Sequence, residues 1–475
     1  MKSLLPYLVF IAMFSSSTIG WTQTNKTSLE QTLAFEEYLG YVKQHHPLLK
    51  QAELVLSQGE AQLLKARGGF DPKIEVDYDR KKFKDIEYYD QLNAAFKIPT
   101  WYGIEFKADF EENTGEFLNP NLSVPEGGLF SAGVSFSLAQ GLLINERMAS
   151  LKKARFFQEQ TKADRDLLVN ELLYKASTAY FNWLEASNEQ KIYSEFLSNA
   201  AIRLAAVKRS VEVGDKAAID SIEARITVQN RKLGLEAAIL KQRKMALAVS
   251  NYLWINDVPL ELEENVSPKA PSKQVLESSL VLDGITDLTA IMENHPKLVS
   301  MDAKIGGLEV DRKLKLNKLL PKVDLQYNFL SPEYDQLSTF NTANYKAFLN
   351  VSLPIFLRKE RGDLKLANLK LQDVTFERSA TSVNIQNKIT AVEAEITSLT
   401  TQNELINSII NDYKTLVRAE ERKFFLGESS LFLINSREQK LIDAQVKGNT
   451  LSIKEFTAKA KLYNALGLTN ANSIN

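Results

Sequence analysis

Asp220 and Glu223 stand three residues apart in a stretch of helical period, so both carboxylates fall on one face of a helix. Acidic groups gathered this way attract cations and repel anions. The plain alternative is a solvated outer face, and the residues themselves do not say which side of the helix meets solvent. The other groups able to do chemistry are sparse. Three histidines, His45, His46 and His295, are scattered along a chain with no cysteine, and they make no metal-ligand constellation. No Ser-His-Asp order, no glycine-rich phosphate loop and no carboxylate pair with a reason to be catalytic is present. The expectation is a protein that is not an enzyme and carries no cofactor and no metal.

The elements that would position those carboxylates are long and regular. The chain has 475 residues, 44% apolar and 25% charged, with only 13 prolines and 20 glycines. Its net charge of -1 gives no basic excess for nucleic acid. Without cysteine there are no disulfides, no thiolate sites and no cysteine nucleophile. At the N-terminus Lys2 precedes an apolar run from Leu4 to Phe14 and then small polar residues, the layout of a secretory signal peptide over residues 1–20. An anchor helix is the alternative, and the run is too short for one. No other stretch reaches the length of a spanning helix, so the mature chain is either soluble or crosses a membrane as strands.

The chain also repeats itself. His46-Pro47 recurs as His295-Pro296 and Pro72-Lys73 as Pro321-Lys322, both at an offset of 249 residues. Glu146-Arg147 recurs as Glu360-Arg361 at 214, and Gly214 as Gly427 at 213. The first copy therefore carries about 36 extra residues between Tyr78 and Glu146. The organisation expected is a first repeat over 28–255, with helices at 28–68, a β region at 72–138 and a helical hairpin at 146–252. A proline-rich linker over 256–284 follows. The second repeat covers 285–468, with helices at 286–319, a β region at 321–354 and a hairpin at 360–466.

Each β region opens at a proline that stops the preceding helix. Ile74, Val76 and Tyr78 then alternate with polar residues, as do Val323, Leu325 and Tyr327. Returning strands run through Val134, Phe136 and Leu138, and through Ala347, Leu349, Val351 and Leu353; the extra residues add Ile104, Phe106, Ala108 and Phe110. The two long helices, near 67 residues each, make rods of ~100 Å. A soluble β domain with coiled-coil arms would satisfy this pattern. Four to six strands are nevertheless too few for a closed transmembrane barrel, and rods with apolar seams need neighbours. Both observations point to an oligomer with shared walls.

The signal peptide, the duplicated order, "VSLPIFLRKERGDLKLA" at 351–367 and the paired "VGD" and "LGE" turns together resemble the TolC-like outer-membrane efflux and secretion channels over about residues 28–468. The resemblance implies a mainly α fold with a β-barrel part: a homotrimer whose α-barrel tunnel crosses the periplasm and whose shared transmembrane β-barrel sits in outer-membrane lipid. It also implies a periplasmic adaptor and an inner-membrane transporter as partners. Two strands per copy would give four per chain and twelve per trimer; the extra stretch near 88–113 departs from that minimum. The activity implied is that of a passive exit duct in efflux or type I secretion. A periplasmic coiled-coil adaptor or scaffold is the competing reading.

On this resemblance the turns Val213, Gly214, Asp215 and Leu426, Gly427, Glu428 become adaptor-docking tips, besides being helix caps. The family's entrance acids would fall at Leu433 and Ser436 of the second hairpin, where this chain has none. The equivalent positions of the first hairpin are Asp220 and Glu223, which threefold repetition would gather into a ring of six carboxylates.

Overall fold

The computed structural model describes residues 31–283 and 288–469; the signal-peptide segment lies outside them. A short strand β1 (Gln31–Leu33) leads into α1 (Phe35–His45) and α2 (Pro47–Arg67). Pro47 biases His46 toward an extended conformation, φ -70° and ψ 131°, which ends α1. His46 then caps α2, its Nδ1 accepting from the Leu48 N–H at 3.1 Å.

Four strands follow: β2 (Lys73–Phe83), β3 (Ile86–Pro99), β4 (Ile104–Thr114) and β5 (Leu129–Ser137). The helix α3 (Glu146–Glu212) has 67 residues and no internal proline or glycine, a length of ~100 Å. Its partner α4 (Ala218–Ser250) returns antiparallel. The connecting segment contains the strands β6 (Trp254–Ile255), β7 (Val258–Pro259) and β8 (Val266–Pro268) and the helices α5 (Lys273–Ser279) and α6 (Leu288–Glu293). Next come α7 (Pro296–Asn317), β9 (Lys322–Ser331), β10 (Tyr345–Ser352), the 68-residue α8 (Arg358–Phe425) and α9 (Leu431–Ala465). His295 caps α7 as His46 caps α2, accepting from Lys297 N–H at 3.1 Å.

The long helices lie side by side. In the half nearer the sheet the packing order is α2–α3–α7–α8, and in the far half it is α4–α3–α9–α8. At every level the chain is thus a layer four helices wide, with α3 inside it and α8 at one edge. Burial follows from that placement. Twenty-one residues of α3 are buried against eight of α8, where Phe376 is 72% exposed. The largest core sits at mid-rod, where Phe35, Tyr38, Tyr180, Phe181 and Trp183 pack beneath the connecting segment. The Tyr180 hydroxyl lies 2.7 Å from the Leu33 carbonyl and 2.8 Å from the Lys269 carbonyl, tying the β1–β8 pair to α3.

The β regions merge into one antiparallel sheet of order β10-β9-β5-β4-β3-β2. Periodicity had marked five strands. The sixth, β3, is masked in the sequence by the Tyr88-Tyr89 and Ala94-Ala95 doublets, which blur its alternation. The minimum of four strands per chain is therefore corrected to six.

Candidate functional site

Residues directly opposite in neighbouring strands share a face of the sheet. Following the register from strand to strand shows what each face carries. One face begins with Ile74, Val76 and Tyr78 of β2 and continues on Phe96, Ala94 and Leu92 of β3. It runs on to Phe106, Ala108 and Phe110 of β4, then to Val134, Ala132 and Phe130 of β5. It ends with Leu325, Tyr327 and Phe329 of β9 and Leu349, Ala347 and Tyr345 of β10. This face is apolar on every strand up to its outer end, where Arg80 of β2, Asp90 of β3 and Glu112 of β4 follow in the same register.

The opposite face carries Glu75, Asp77 and Asp79 on β2, Lys97 and Asn93 on β3, Lys107 and Asp109 on β4, Ser131 and Ser135 on β5, and Gln326 and Asp324 on β9. Two ion pairs cross strands on it: Lys97 bonds Glu75, and Lys346 reaches Glu111 at 3.1 Å. Ala95, Leu129, Leu330 and Phe348 are apolar members of this side, and Tyr89 adds a ring to it. The apolar face is open, with Ile74 77% and Leu349 62% exposed. Toward its outer end it gathers rings, Phe110 against Phe130 at 4.7 Å and Tyr327 against Tyr345 at 5.4 Å.

At the far end of the rods both hairpins turn in the same way. Gly214 has φ +84° and Gly427 φ +79°. Asp215 N–H reaches back to Ser210 O at 2.9 Å and Gly214 N–H to Val211 O; Glu428 N–H reaches Lys423 O at 2.9 Å and Gly427 N–H reaches Phe424 O. These paired bonds are the Schellman arrangement, which consumes the orphan carbonyls at a helix end. Val213 and Leu426 beside them are exposed, and Lys216 Nζ sits 3.8 Å from the centre of the Phe424 ring.

Asp220 lies in the first turn of α4, where its charge suits the positive end of the helix dipole. Glu223, one turn on, accepts from Asn435 Nδ2 of α9 at 3.2 Å. Both are half-buried on the α4 face turned toward that seam. Leu433 is exposed on α9 and Ser436 half-buried.

A charged cluster that sequence reasoning missed lies between these carboxylates and mid-rod. Glu438 of α9 is 1% exposed and binds Arg203 of α3 at 3.0 Å and Arg231 of α4 at 3.4 Å. Arg203 also reaches Glu421 of α8, so all four long helices meet here. The available signal was an acidic residue spaced four from Ile434 and three from Leu441, on the apolar stripe of α9.

The two capping histidines are buried, and burial holds both rings below their ordinary pKa, against the opposing pull of a backbone hydrogen bond on each. Since each Nδ1 accepts from a backbone N–H, the ring proton sits on Nε2; in His295 that atom faces Ala465 O at 3.2 Å. Among the described residues no group of three or more His, Asp or Glu is placed to hold a metal, and no helix is long and apolar enough to cross a membrane.

No family model matches the chain, and no curated protein is found similar to it in sequence. Solved structures do match in fold. The CmeC outer membrane channel of Campylobacter jejuni aligns at TM-score 0.64 and 15% identity, over 91% of this chain and 85% of that one. VceC, an outer membrane protein of Vibrio cholerae, aligns at TM-score 0.65 and 12% identity, over 90% and 95%. The open state of the MtrE outer membrane channel of Neisseria gonorrhoeae aligns at 0.63 and 14%, over 91% and 88%. The chain has the fold of the TolC-like outer-membrane channels. In it the two-faced sheet stands at one end of the helical rods and the two glycine turns at the other.

Proposed function

We propose that this chain is the outer-membrane channel of a tripartite efflux or type I secretion system. Three copies enclose a passive duct from the periplasm to the outside, working with a periplasmic adaptor and an inner-membrane transporter. The observation that carries the reading is the sheet: a band apolar on one face runs across all six strands below a charged outer end, the other face is mainly polar, and the sheet is joined to helices that end ~100 Å away. A soluble sheet buries its apolar face against a second layer, and no described element covers this one beyond a loop at its outer end.

The polar face then lines water and the apolar face meets lipid. The bare α8 edge and the opposite edge formed by α2 and α4 close against neighbouring copies. The tips Val213, Gly214, Asp215, Leu426, Gly427 and Glu428 receive the adaptor, and Asp220 and Glu223 line the periplasmic entrance. Transport itself needs no reacting group in such a duct; its energy comes from the transporter. The adaptor alternative draws no support from the structures that match, the CmeC and MtrE channels among them.

Detergent-extracted protein reconstituted in a planar bilayer should give discrete single-channel conductance steps and should resist extraction from membranes by carbonate. Release by carbonate together with silent bilayers would refute the channel reading.

A further inference from the structure

The extra hairpin β3–β4 distinguishes this chain from the minimum of two strands per repeat, and its register says what it is for. Starting at Ile74, one cross-strand rung runs through Phe96, Ala108, Ala132, Phe329 and Tyr345. Ile74 is one residue from Lys73, the helix-side end of β2, and Phe96 is three from Pro99, the helix-side end of β3. Ala108 is four from Ile104 and Ala132 five from Ser137. Phe329 is seven from Lys322, and Tyr345 seven from Ser352. The rung therefore climbs away from the helices across the sheet, and the climb proceeds through β3 and β4 as through the rest. Six residues of stagger, ~20 Å, over five strand spacings, ~24 Å, corresponds to a strand tilt of ~40°. Transmembrane barrels tilt their strands by about 35–45°.

Three further features agree. β3 has 14 residues and β4 has 11, enough for the ~9–11 of a tilted membrane strand. The β3–β4 turn lies on the helix side of the sheet: Trp101 stacks on Phe70 at 5.6 Å, and Asn145, which caps α3, donates to the Trp101 carbonyl at 3.0 Å. A hairpin projecting outside the cell would turn at neither place. Finally, widths match. Four helices at ~9 Å spacing occupy about 36 Å of circumference, and six strands tilted by ~40° occupy about 38 Å, whereas four would cover only about 25 Å.

We infer that β3 and β4 span the membrane, so that each copy contributes six strands and three copies close an eighteen-strand barrel. The bare edges are β2 and β10, which run in opposite directions; β10 of one copy then pairs antiparallel with β2 of the next, level with it at Ile74 and Val351. Acyl chains cover the outward face, including Phe96 and Ala108. An eighteen-strand wall is of porin width and leaves an open aqueous lumen at the membrane end. The constriction of the duct therefore lies at the helical tips and not in the sheet.

This inference rests on the channel reading, and single cysteines separate the two, since the chain has none of its own. In proteoliposomes a membrane-impermeant maleimide should label Asn93→Cys on β3 and Ser135→Cys on β5. Ala108→Cys on β4 and Val134→Cys on β5 should lose that labelling until detergent is added. Labelling of A108C at the rate of N93C, with V134C still protected, would remove β3–β4 from the wall while leaving the channel reading intact. Labelling of V134C as well would sink both. As a second measurement, Ile74→Cys combined in turn with Leu349→Cys and Val351→Cys should oxidise to covalent dimers and trimers in at least one pair. Monomer alone in both pairs overturns the closure.

Discussion

The carboxylate of Glu438 accepts from the guanidinium of Arg203 at 3.0 Å, in a position where Glu438 is only 1% exposed. Arg231 shares the same carboxylate, and Arg203 Nη1 and Arg231 Nε find no hydrogen-bond partner among the described residues. Glu438 is thus the one fully buried carboxylate compensating these two cations, with the more exposed Glu421 a second partner of Arg203 at 3.2 Å. Glu438→Gln should cost about 3–5 kcal/mol, the usual effect of removing one member of a buried charge group, read as a lower melting temperature in detergent. Replacing Glu438, Arg203 and Arg231 together by Met or Leu should recover most of that loss, because the desolvation cost disappears with the charges.

Gly214 and Gly427 hold left-handed backbone with open space around them: a Cβ added at either would meet nothing within 4 Å. Alanine there should cost about 1–2 kcal/mol from backbone strain alone. Since each lies at the end of a rod, the loss should be local. Hydrogen exchange should speed up in the last turn of α3 or α8, with the global melting temperature little changed. If the tips receive the adaptor, the G214A/G427A variant should also bind a cognate adaptor more weakly.

His46 and His295 give the fold a pH dependence whose sign can be worked out. Burial lowers both folded pKa values below the unfolded value near 6.5. The unfolded chain therefore takes up protons first as pH falls, and the histidine contribution to stability is complete above about pH 6.5. It is lost as pH drops from there through the folded values, when a proton on Nδ1 breaks the cap to Leu48 or Lys297. Melting temperature should fall between pH 7.5 and 5.5. In the His46→Asn/His295→Asn variant, which keeps a capping acceptor without a titrating ring, this part of the drop should vanish.

Asp220 and Glu223 stand near the tip of α4, with Glu223 held by Asn435. If they line the entrance, D220N/E223Q should reduce cation preference and move the reversal potential in a salt gradient toward zero. An unchanged potential would place both outside the conduction path.

What the sequence discloses depends on how local the cause is. An uninterrupted helix from Glu146 to Glu212 is legible because nothing in that stretch breaks one, and the turn at Gly214 because only glycine suits φ +84°. β3 is hard to read because Ala94-Ala95 puts similar residues on both faces, so its place is fixed by pairing with β2 and β4 rather than by its own pattern. The Glu438 cluster is least legible: its members come from α3, α4, α8 and α9, and Arg203 lies 235 residues from Glu438. Periodicity locates a buried position and not the partner that makes a charge tolerable there.

The bare β2 and β10 edges have a kinetic corollary. A lone copy cannot complete its wall, so biogenesis is of higher than first order in chain concentration, and dilution should slow maturation far more than it slows translation. A subunit with one edge spoiled, for instance by proline in β10, still docks through the other edge and then blocks ring completion. Co-expressed with intact chain, it should act as a dominant poison of assembly out of proportion to its abundance.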